Sequence, residues 1–136
     1  MAILKIKRHG DVMKFSWNIY IFTLLCMGVA RTAERLIHDS GGLASQYLPV
    51  ILCSIFSLGV YGAVNKKILL NIRFWQCFYM FSIMMSISLS LFAFYLAFSV
   101  GGSSLLWPAV IVFVILFIIP AQIKIKDYSF KSPQIW

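Results

Sequence analysis

The chain has 136 residues, 61% of them hydrophobic and 12% charged, with a formal net charge of +8. Soluble domains run near half apolar and about a quarter charged, so this composition excludes a soluble fold, which could not cover long uncharged runs with so little polar surface. The basic residues flank apolar runs and do not gather among aromatics in a compact domain, which argues against nucleic-acid binding.

Residues 1–14 carry Lys5, Lys7, Arg8 and Lys14 against Asp11. Phe15 to Ala30 then gives sixteen uncharged residues. As a helix this run is about 24 Å long, short of a ~30 Å hydrocarbon core, and Lys14 and Arg31 can snorkel at its ends. A basic start, an apolar run and "GVA" (Gly28, Ala30) also resemble a signal peptide. The run is longer than an ordinary signal core and opens on bulky Phe15 and Trp17, so a retained first span is expected.

The helix is expected to continue through "RTAERLIHD", where Arg31 and Glu34 (i,i+3) and Arg35 and Asp39 (i,i+4) can pair on its surface. Ser40, Gly41 and Gly42 supply the stop. A second span is placed at 47–64, with Pro49 in its first turn, where a missing N–H costs nothing. The next loop holds Lys66, Lys67 and Arg73 without an acid.

Phe74 to Ile123 is fifty residues without a charge. One helix of that length would be about 75 Å long, so it must be two spans. Gly101–Ser104 is its only turn chemistry, giving a third span at 74–98 and a fourth at 105–123. Pro108 falls in the first turn of the fourth span, and Pro120 in its last turn is expected to kink or end the helix.

The expected fold is an all-α integral membrane protein, a four-transmembrane-helix bundle with short loops. It forms a single domain, 1–136, with basic tails at 1–14 and 124–136. Basic excess falls on the first, third and fifth flanks only, which places both termini and the Lys66–Lys67–Arg73 loop in the cytoplasm. Compactness suggests a bacterial inner (plasma) membrane.

Within the spans the strongest polar groups are Asn18 and, at the rim of the third, Gln76. The layout resembles that of small multidrug transporters, which rely on an acid in the first span. None is present, so proton-coupled antiport is not expected. Glu34, His38 and Asp39 form an outer polar cluster. Glu34 and His38 lie at i,i+4 and could converge on a metal or a proton, with Asp39 the only other candidate nearby. A site needs its ligands arranged around a pocket, so an exposed helix face with paired charges is expected. Cys26, Cys53 and Cys77 form no CxxC pair and read as packing residues.

Ser82, Ser86 and Ser90 recur every four residues, and Ala93 and Ala97 extend the same face. Small residues at this spacing let helices approach closely, so this is the expected packing face, with Phe78, Phe81, Phe92 and Tyr95 turned to lipid or a neighbour. "ILKIKR" (3–8) and "IKIKDYSF" (123–130) alternate apolar and basic residues with a period of two. They are expected either to pair as a short two-stranded ribbon or to lie separately against anionic head groups.

No nucleotide motif or acid/base pair points to an enzyme, and no cofactor or metal is expected. The expected function is a non-enzymatic accessory subunit, assembly factor or immunity-type protein that acts by helix packing on another membrane component. The alternative is a small oligomeric transporter, channel or lipid-handling protein. The expected partners are a bilayer with anionic head groups, and another membrane protein or a second copy.

Overall fold

The computed structural model describes residues 2–38, 41–99 and 106–131, with side chains from Lys14 onward. Four helices account for nearly all of it: α1 (Ala2–Ile37), α2 (Leu43–Asn65), α3 (Ile72–Ser99) and α4 (Leu106–Phe130). No strand occurs among the described residues. Helices α2, α3 and α4 are each long and apolar enough to cross a membrane. Helix α1 carries the Phe15–Ala30 run in its middle.

The chain divides into two compact units, Met1–Leu69 and Leu70–Gln134. The first is the antiparallel pair α1–α2. As expected, α1 continues past its apolar run, and Arg31 pairs with Glu34 on its surface. The other expected pair, Arg35 with Asp39, lies outside the described residues. Gly41 (φ +86°) turns the chain in the left-handed region that favours glycine.

Helix α2 begins at Leu43, one turn earlier than the expected span, with the Gln46 N–H donating to Gly42 O at 3.1 Å. This corrects the reading of Pro49. It lies inside the helix, beyond the first turn, where its missing N–H deprives the Ser45 carbonyl of its partner within the helix. At the other end Lys66 (φ 51°) closes α2 in the left-handed region, and the N–H groups of Lys66 and Lys67 both reach Gly62 O. Asn71 caps α3 by accepting a hydrogen bond from the Arg73 N–H at 3.2 Å.

The second unit is the antiparallel pair α3–α4. Pro108 sits in the first turn of α4, but Pro120 does not end the helix, which runs on to Phe130. The segment beyond it is held by packing: Ala121, Gln122, Ile125, Tyr128 and Ser129 are buried. Tertiary burial of that face outweighs the loss of one backbone bond.

The strand expectation fails for a related reason. Residues 3–8 belong to α1 and 123–130 to α4. Extending an existing helix needs no new nucleus, whereas a lone two-stranded ribbon is marginal. In the second segment the buried set Ile125, Tyr128 and Ser129 follows helical spacing, which overrides the alternation of isoleucine and lysine.

Candidate helix-packing interfaces

The stripe on α3 is unevenly covered. Ser82 and Ala93 are buried, Ser86 and Ala97 half-buried, and Ser90 exposed. Its main partner from α4 is Gln122, only 6% exposed. The Gln122 Nε2 donates to Ser82 O at 3.1 Å and to Ser86 Oγ at 2.8 Å. In an apolar medium an unpaired amide is costly, so Gln122 fixes the register between the two helices. The serine hydroxyls are satisfied along α3 itself: Ser82 Oγ donates to Tyr79 O, and Ser90 Oγ to Ser86 O, each at 2.8 Å.

Sequence reading missed Gln122. The amide lay in a run valued only for its length, although it is the one conventional polar side chain between Leu105 and Ile123. Beside it, Ser86, Ser90, Ile115 and Ile119 help to line an open groove of about 370 Å³.

Toward the start of α3, Trp75 and Tyr128, both almost wholly buried, meet edge to face with ring centroids 6.0 Å apart. Phe78 joins Trp75 at 6.1 Å, and Tyr79 meets Phe130 at 5.8 Å. Phe78 is therefore buried and does not face lipid as expected, whereas Phe81, Phe92 and Tyr95 are exposed. Gln76 Nε2 donates to Ser129 O at 3.3 Å, which places that rim amide inside the same contact.

The α1–α2 contact is built on a glycine. A Cβ added at Gly28 would come within 2.7 Å of Cys53 Cβ and 3.2 Å of Pro49 O. Leu24 and Thr32, one turn to either side of Gly28, are also buried. The Leu24–Gly28–Thr32 spacing was the available signal, hidden by the likeness of "GVA" to a cleavage site. Thr32 Oγ1 and Ser57 Oγ are buried without a hydrogen-bond partner among the described residues. Cys53 packs here, while Cys26 and Cys77 are exposed.

At the mouth of this pair Gln46 Nε2 donates to Gly41 O at 3.3 Å. Arg35 Nη1 donates to Ser45 O at 2.5 Å and Ser45 Oγ at 2.7 Å. Of the outer cluster, Glu34 is engaged by Arg31, His38 is exposed, and Asp39 lies outside the described residues. Among the described residues no three His, Cys, Asp or Glu side chains gather as a metal site. Asn18, Lys66, Lys67 and Arg73 are exposed.

These contacts can hold helices together. No protein-family model, curated protein or solved structure matches the chain.

Proposed function

We propose that the chain is a non-enzymatic, four-span membrane protein that acts by helix packing on another membrane component, as an accessory subunit, assembly factor or immunity-type protein. The observation that carries this reading is the use made of Gln122. Its buried amide bonds to α3, while Phe81, Phe92, Phe94 and Tyr95 stand exposed on that helix. Large apolar faces of this kind suit lipid or a neighbouring helix.

In this reading α1 is the fourth span through residues 15–30, both termini are cytoplasmic, and the membrane is a bacterial inner membrane. Basic excess on alternate flanks supports that orientation. Cysteines placed at 42 and 102 should react with an impermeant reagent from outside, and cysteines at 66 and 131 should not; the reverse pattern ends the topology. Purification from native membranes in mild detergent should recover one defined membrane partner in stoichiometric amount. Recovery of a pure self-oligomer that conducts ions or solutes would instead establish the transporter or channel reading. The groove beside Ser86, Ser90 and Gln122, whose other lining residues are isoleucine, leucine and phenylalanine, favours a lipid-handling protein as the alternative.

A further inference from the structure

We propose that Arg35 is a strap that replaces the hydrogen-bond donor Pro49 cannot supply, and so locks the α1–α2 pair at its turn. In an uninterrupted helix the Ser45 carbonyl would accept from the N–H of residue 49. Residue 49 is proline and has none. Arg35 reaches over from α1 and fills that vacancy, its Nη1 donating to Ser45 O at 2.5 Å and to Ser45 Oγ at 2.7 Å.

Electrostatics alone would not bring the guanidinium there. The start of a helix is the positive end of its dipole, and the first turn of α2 contains no acid to offset it. The carbonyl that Pro49 leaves open is the feature that holds a cation at this place. Arginine suits the task because one nitrogen carries two hydrogens, enough for both Ser45 oxygens at once. Neighbouring contacts converge on the same turn: Arg31 is taken by Glu34, Gln46 bonds back to Gly41 O, and Pro49 O lies against Gly28. Proline and arginine thus work as a pair through Ser45, which lies ten residues along the chain from Arg35. The strap fixes how far the α1 extension can swing from α2, whatever partner the membrane supplies.

The test is a mutant cycle on the full chain in mixed micelles, reading the folded-to-unfolded ratio. R35Q should lower that ratio about tenfold, as expected for loss of a hydrogen bond from a charged group. On a P49A background, where alanine restores the backbone donor, R35Q should change it by about twofold or less. R35K should recover part of the loss, and S45A, which keeps the carbonyl, should cost less than R35Q. Infrared spectroscopy of the chain with a ¹³C label at the Ser45 carbonyl gives a direct readout. R35Q should move that band to higher frequency, and R35Q/P49A should bring it back. Equal losses in the two backgrounds, or a band that R35Q leaves in place, would overturn the assignment.

Discussion

Gly28→Ala adds one carbon at the closest approach of α1 and α2. That carbon would lie 2.7 Å from Cys53 Cβ. Carbon atoms rest about 3.5–4.0 Å apart, so the helices must part locally by about 1 Å. The obstructing atom is a Cβ, fixed to its backbone, and cannot rotate aside. Overpacking of this kind costs about 1–3 kcal/mol. The cause can be isolated with Cys53→Gly, which removes the obstructing carbon and leaves Pro49 O at 3.2 Å as the tightest remaining contact. Cys53→Gly alone should cost about 1 kcal/mol through helix propensity and lost packing. The double variant should be more stable than the sum of the two losses by at least ~1 kcal/mol. Unfolding by sodium dodecyl sulfate in mixed micelles measures all four proteins. Strict additivity, or a Gly28→Ala chain as stable as the parent, would refute the close approach.

The serine stripe should respond unevenly: Ser82→Leu should destabilise by about 1–3 kcal/mol, whereas exposed Ser90→Leu should cost under about 0.5 kcal/mol. Equal effects in the same unfolding assay would contradict the burial pattern. Gln122→Leu removes two hydrogen bonds to α3 and should cost about 0.6–1.7 kcal/mol, with faster exchange of cross-linkable cysteines across the α3–α4 seam as an independent readout. Thr32→Val and Ser57→Ala delete hydroxyls that have no partner among the described residues, so each should be neutral within about 0.5 kcal/mol or stabilising. A loss above about 1.5 kcal/mol at either would show that the hydroxyl is engaged.

Helix number and approximate placement were legible because long uncharged runs have few solutions in a membrane. The first three helices enclose the runs read as spans, α4 covers the fourth from Leu106 onward, and the extension of α1 through Ile37 followed from its paired charges. The prolines were read imperfectly for two different reasons. Pro49 was placed in a first turn because the helix start was set at 47, whereas α2 begins at Leu43. Of the two outcomes expected at Pro120, an end to the helix does not occur, because the face beyond it is buried. Alternation at 123–130 misled because period two over a few residues is weak beside a helix already formed. Gln122 and Gly28 went unread since each matters only through a second helix. Their partners Ser82, Ser86 and Cys53 are distant in sequence, and no single-segment pattern encodes such pairings.

The two internal prolines leave helices of different mechanical character. At Pro49 the open carbonyl is filled from outside the helix, by Arg35. Pro120 brings no N–H to the Leu116 carbonyl, and Leu116 is exposed on α4. A backbone link is missing there, one turn before the segment that Gln122, Tyr128 and Ser129 tie to α3. Helix α4 therefore has a compliant joint above an anchored foot. A change in bilayer thickness should be taken up by tilting of the part from Leu106 to Ile119, at a fraction of a kcal/mol per Å of mismatch, while the aromatic foot keeps its register. The hairpin can in this way fit membranes of unequal thickness without breaking its seam.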